Sequence, residues 1–119
     1  MEKRFSITMH GDVAVLAING KISIGSGATE LHDRITRLIS RGRNKVLLDM
    51  RETTYIDSSG IGELVHALNR VTNSKVGQRG GQFKIYGITG ENRDRLANTK
   101  LLGSFDIFKE LDDALASFN

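Results

Sequence analysis

At 119 residues, with 17 Lys and Arg against 14 Asp and Glu for a formal net charge of +3, the chain has the length of one domain and only a slight basic excess. Cysteine is absent, which excludes disulfides and thiolate metal sites and fits a reducing compartment, while an excess of +3 is too small to argue nucleic-acid binding by itself. Aromatics make up only 6%, so the core, which at this length buries roughly two-thirds of the unfolded surface, must rest on Ile, Leu and Val. The opening Met1-Glu2-Lys3-Arg4-Phe5-Ser6-Ile7 lacks the apolar stretch of a signal peptide, and no run approaches the roughly 18 apolar residues that span a bilayer. The expected location is therefore cytoplasmic. Phe5 to His10 alternates apolar and polar residues and reads as a half-buried strand. Gly11-Asp12 is a turn, and Val13 to Asn19 is a second, more apolar strand that completes a hairpin. Gly20 then breaks the pattern.

After the glycine-rich Gly25-Ser26-Gly27, apolar residues at Ala28, Leu31, Ile35, Leu38 and Ile39 line one side of a helix ending near Arg41-Gly42. Val46-Leu47-Leu48 is the continuous apolar run of a central strand covered on both faces. Ile61, Leu64, Val65 and Leu68 follow the i, i+3, i+4, i+7 spacing of an amphipathic helix. The polar Asn73 to Gly81 reads as a mobile loop, Phe83 to Tyr86 as a strand, and Glu91 to Lys100 as a helix anchored by Leu96 and Ala97. Phe105 to Phe108 reads as an edge strand, and Leu111, Ala114, Leu115 and Phe118 mark a closing helix. The expected architecture is α/β: one domain over residues 1–119, with a mixed sheet of four to five strands opening on a hairpin and packed against about four helices. Arg34, Arg37, Arg41, Arg43 and Lys45 cluster, either as a solvated helix face and turn or as a surface for an acidic partner.

The stretch Val46 to Leu64 runs from a buried strand through a short turn into an amphipathic helix, with Asp57, Ser58 and Ser59 at the helix entrance, where backbone N–H groups lack internal partners. Asp and Ser are favoured N-cap residues and need no further purpose there. One cap suffices, however, and three candidates stand in a row. Gly60 and Gly62 occupy the first turn, where glycine is less favourable than alanine by up to ~1 kcal/mol each. Capping does not account for them; a side-chain-free surface open to close approach by another protein would.

This stretch resembles the STAS-domain anti-sigma factor antagonists. The resemblance spans nearly the whole chain. Its most specific part is Val46-Leu47-Leu48-Asp49 followed by Tyr55-Ile56-Asp57-Ser58-Ser59-Gly60-Ile61-Gly62, with Gly80-Gly81 and Leu101-Leu102-Gly103 as further matches. It implies a phosphorylation-controlled partner switch. Ser58 would be phosphorylated by an anti-sigma factor that is also a serine kinase, and a PP2C-type phosphatase would reset it. The unmodified protein would bind the anti-sigma factor and free the sigma factor, with Asp57, Ser59, Gly60, Ile61 and Gly62 in the partner contact. A phosphoryl group adds about −1.5 to −2 charges. A helix N-terminus can hold it, and a penalty of ~4 kcal/mol in the docked surface weakens binding about a thousandfold. The chain departs from the family at Ser23, where an acidic residue is common, and in the longer loop Asn73 to Arg79, either a surface insertion or a specificity loop.

The expectation is a monomer or weak dimer with no catalysis of its own, no cofactor, no direct nucleic-acid contact and no membrane association. The alternative keeps the fold and makes the chain a scaffold subunit of a stress-signalling complex or an accessory subunit of a lipid-transport ATPase. A serine hydrolase would need a base and an oxyanion hole. His10, His32 and His66 lie far apart in sequence and read as surface residues, and Asp57-Ser58-Ser59-Gly60 is not a Gly-x-Ser-x-Gly elbow. Gly25-Ser26-Gly27-Ala28 and Gly87-Ile88-Thr89-Gly90 do not make a phosphate-binding Gly-x-x-x-x-Gly-Lys-Ser/Thr loop, and no metal-ligand spacing stands out.

Overall fold

In the computed structural model, which describes residues 4–119, the hairpin forms as expected: β1 (Phe5–His10) pairs antiparallel with β2 (Val13–Ile18). The first three residues of the opening segment, and of the expected domain, lie outside the described range. After β2 the chain continues through β3 (Gly20–Ile22), α1 (Ala28–Ser40), β4 (Lys45–Asp49), β5 (Thr53–Ile56) and α2 (Ser58–Asn73). It then runs through β6 (Lys75–Val76), β7 (Arg79–Gly80), β8 (Gln82–Tyr86), α3 (Gly90–Asn98), a 3₁₀ turn (Leu102–Ser104), β9 (Asp106–Phe108) and α4 (Leu111–Ala116).

The main sheet is mixed and five-stranded in the order β1-β2-β4-β8-β9, parallel everywhere except at the opening hairpin. Register aligns the apolar residues in rows: Ala14 opposite Val46 opposite Phe83, and Leu16 opposite Leu48 opposite Ile85. Those side chains face α1 (Leu31, Ile35, Leu38), α2 (Ile61, Leu64, Ala67, Val71) and α3 (Leu96). Val13, Val15, Leu47 and Tyr86 point to the other face, which α4 covers with Ala114, flanked by Leu111, Leu115 and Phe118. The central strand is thus buried on both sides, as its unbroken apolar run requires, and Leu47 and Leu48 each contribute about 1.5–3 kcal/mol by burial.

Three segments depart from the sequence reading. In β1, an edge strand of the sheet, only Phe5 is buried, and Ile7 and Met9 remain about two-fifths exposed. β2 ends at Ile18, and beyond the break expected at Gly20 the chain forms a strand that the sequence reading did not include. The Gly20 φ of +91° turns the chain out of the main sheet, and β3 then pairs in parallel with β5 as a separate two-stranded ribbon. The Thr53 hydroxyl, buried, donates to the Ile18 carbonyl and ties this ribbon to the end of β2. The segment read as a mobile loop carries the β6–β7 hairpin, held at its base by the Asn44 amide, which donates to the carbonyls of Ser74 (3.1 Å) and Arg79 (3.2 Å).

Candidate functional site

The ribbon matters because it aims the entrance of α2. Asn92, fully buried on α3, accepts from the Ile56 N–H at 3.2 Å and donates to the Thr53 carbonyl at 3.1 Å, acting toward β5 as a neighbouring strand would. One residue later Asp57 takes an extended conformation (φ −99°, ψ −173°) and caps α2, its Oδ1 accepting from the Gly60 N–H at 2.9 Å. Its Oδ2 accepts from the Ile24 N–H at 3.1 Å, which pins the β3–α1 loop to the helix entrance. The Gly60 N–H, and after it those of Ile24 and Ser59, hold the Asp57 carboxyl below the ordinary Asp value against the opposing effect of partial desolvation.

Ser58 is the first residue of α2 and is exposed; among the described residues its hydroxyl makes no hydrogen bond. Ser59 is half-buried. The two glycines, equivalent in sequence, have different surroundings. A Cβ on Gly60 would stand 2.0 Å from the Ile22 carbonyl oxygen and 2.7 Å from Ile56 Cγ1, so glycine here lets the first turn of α2 press against β3. The close approach expected of an outside protein is made at Gly60 by the protein itself. Ile61 is only 5% exposed and belongs to the core. Gly62 is exposed, with open space where its Cβ would be.

Sequence reasoning missed Ile24, which is 79% exposed and has its backbone fixed by Asp57. The signal was there: one apolar residue isolated in Ser23-Ile24-Gly25-Ser26-Gly27, with no helix or strand to bury it. Ser23, where the family often carries an acid, is buried in this turn. Its N–H and hydroxyl both donate to the Ser26 carbonyl, and its own carbonyl accepts from Ser26 N–H. Asp57, Ser58, Gly62 and Ile24 therefore make an anionic and apolar rim on a hydrogen-bonded turn.

Of the basic cluster, Arg37, Arg41 and Arg43 are solvated, the Arg34 guanidinium lies 5.6 Å from the Phe5 ring, and Lys45 pairs with Asp12 at 2.7 Å. Among the described residues no imidazole hydrogen-bonds Ser58 or Ser59, so a nucleophile–base pair is not assembled. The histidines are not all apart, however. Packing of α1 against α2 brings the His32 and His66 rings to 5.3 Å, with Glu63 beside them.

A model of the STAS domain matches residues 4–114. An anti-sigma factor antagonist from Mycobacterium paratuberculosis is similar in structure at a TM-score of 0.78, with 23% identity over 95% of this chain and 91% of that one. The Bacillus cell fate determinant SpoIIAA in its phosphorylated form is similar at 0.69, with 15% identity over 94% of this chain and 96% of that one. A sulfate transporter family protein from Wolinella succinogenes is similar at 0.70, with 23% identity over 92% and 86%. These likenesses concern the fold. Comparison with curated protein sequences gives no significant match. Because the domain model covers almost every described residue, the chain belongs to the STAS domain family.

Proposed function

We propose that the protein is an anti-sigma factor antagonist that works as a partner switch. Unmodified, it binds an anti-sigma factor with serine kinase activity and frees the sigma factor. Phosphorylation of Ser58 releases it, and a PP2C-type phosphatase restores the binding form. The observation that carries this reading is the free, exposed Ser58 hydroxyl at the start of α2, on a turn immobilised by the Asp57 cap and bordered by the exposed Ile24. The fold likeness to SpoIIAA in its phosphorylated form supports it. Contact residues on this reading are Asp57, Ser59 and Gly62 at the surface, with Gly60 and Ile61 beneath them shaping the turn. The protein itself catalyses nothing. It acts in the cytoplasm as a monomer or weak dimer; among the described residues no helix is long and apolar enough to cross a membrane.

A Ser58 phosphate would put about two negative charges beside an already ionised Asp57, inside a packed contact. A penalty of ~4 kcal/mol there weakens the complex about a thousandfold. Incubation with the cognate kinase and ATP is expected to place one phosphate on Ser58, mapped by mass spectrometry, and Ser58→Asp to bind the anti-sigma factor far more weakly. Phosphate on another residue, or native affinity in Ser58→Asp, refutes the reading. The alternative, a scaffold or transporter-accessory subunit, is favoured by one observation, the fold likeness to a sulfate transporter family protein. It predicts stable co-elution with other chains in size-exclusion chromatography, whatever the state of Ser58.

A further inference from the structure

The seam between α1 and α2 holds a cluster that the partner switch does not use. Glu63 and His66 stand three residues apart on α2 and so share a face, and His32 meets them from α1. One ligand atom from each of the three lies within 4.8 Å of the other two. His32 Nδ1 is 3.4 Å from Glu63 Oε2, and the two imidazoles are tilted by 54° at a centroid distance of 5.3 Å.

Bonds of about 2.0–2.1 Å to a tetrahedral ion set ligand atoms roughly 3.3 Å apart. The His32–Glu63 pair already has that spacing. The remaining ligand distances, at most 4.8 Å, would be shortened by rotation of the His66 side chain, which is exposed. A His–Glu ion pair explains only one edge of the triangle. It leaves unexplained His66, which makes no hydrogen bond among the described residues and lies tilted against the His32 ring. Two neutral imidazoles and one carboxylate are the donor set of a borderline divalent metal. Arg70, one turn beyond His66 on α2, is held by hydrogen bonds to α1, its guanidinium donating to Thr36 Oγ1 at 2.7 Å and to the His32 carbonyl at 3.5 Å.

We propose that His32, Glu63 and His66 form a three-ligand site for a zinc-type divalent transition-metal ion, which clips α1 to α2 and leaves its fourth position to solvent. With two nitrogen donors and one carboxylate, the site discriminates against Mg²⁺ and Ca²⁺, which require oxygen-rich shells. It is independent of the reading of Ser58.

The test is titration of the tag-free full chain with Co²⁺ and Zn²⁺ in metal-free buffer. The expected result is one Co²⁺ per chain with visible d–d absorption, displacement of Co²⁺ by Zn²⁺, and a thermal midpoint raised by Zn²⁺ but not by Mg²⁺. His32→Ala and His66→Ala should each weaken binding at least about tenfold, Glu63→Gln similarly, and His10→Ala should leave it unchanged. Far-UV circular dichroism of each metal-free variant checks that the fold survives. No Co²⁺ band, equal response to Mg²⁺, or binding that persists in the His32→Ala/His66→Ala double variant overturns the assignment.

Discussion

Gly60→Ala and Gly62→Ala are the same chemical change, two residues apart on one helix, and the structure predicts opposite signs. At Gly60 the new methyl would lie 2.0 Å from the Ile22 carbonyl oxygen and 2.9 Å from its carbon. Ordinary contact begins near 3.5 Å, so β3 and α2 must separate by over roughly 1 Å. Ile22 cannot simply yield: its carbonyl accepts from the Asp57 N–H, and β3 is paired along β5. Overpacking of this kind is unfavourable by about 1–3 kcal/mol, and a backbone obstacle places it at the upper end. Replacing glycine in a helix returns up to about 1 kcal/mol. The net is a loss of about 2 kcal/mol, or a melting midpoint lowered by about 8 °C for a domain of this size. At Gly62 nothing lies within 4 Å of the added methyl, so only the helix-propensity gain of about 0.5–1 kcal/mol remains and the midpoint rises a few degrees. Thermal and urea melts followed by far-UV circular dichroism read both. A Gly60→Ala protein as stable as the native one would show that the close approach to β3 is not a constraint.

The buried Asn92 amide serves Ile56 and Thr53, and Asn92→Leu would orphan both backbone groups; the expected loss is about 3 kcal/mol, and a urea midpoint within error of native would contradict it. Asp57 has a depressed folded-state value, so its ionised form adds stability that is complete above the unfolded value of about 3.9 and is lost as pH falls through the lower folded one. Asp57→Asn should therefore be less stable than the native protein at pH 7, with the gap in urea midpoint shrinking toward pH 3; a gap that stays constant or widens there speaks against the assigned hydrogen bonds. Ile24→Ser removes a side chain that is 79% exposed, so stability should stay within about 0.5 kcal/mol. On the proposed reading the same change weakens the anti-sigma factor complex by about 10- to 100-fold, the worth of one buried aliphatic group, and unchanged affinity in calorimetry would remove Ile24 from the contact.

Elements whose residues bury against a whole layer were readable in advance. The hairpin, α1, the doubly covered β4 and the core face of α2 each carry an apolar period or run long enough to identify. The β3–β5 ribbon was not. Its three-residue member has an exposed Lys21 at its centre and takes its order from a parallel partner more than thirty residues later in the chain. Asn92 escaped for the same reason, since its partners lie 36 and 39 residues earlier and polarity argues for solvent until they are known. At the site, Asp57 as a cap was legible, whereas the division of labour between Gly60 and Gly62 depended on what β3 places beneath one of them. The meeting of His32 with His66 is likewise a product of helix packing and not of spacing.

The geometry of Asp57 also decides how a charge on Ser58 would act. A bare helix N-terminus is an anion site, and a phosphate seated there would be neutralised by the N–H groups it faces. Here that position is partly taken: Asp57 Oδ1 holds the Gly60 N–H, while the Ile61 N–H makes the first helical bond, to the Asp57 carbonyl. A phosphoryl group on the exposed Ser58 would have to displace a carboxylate to be neutralised by Gly60, and the two anions repel. On the proposed reading its charge therefore projects outward, where a docked protein must desolvate it. The same repulsion bears on the second Asp57 oxygen, the one that tethers Ile24. One modification would then act on both halves of the docking rim, adding charge at Ser58 and loosening the apolar contact at Ile24, while the sheet and the packed face of α2 stay as they are.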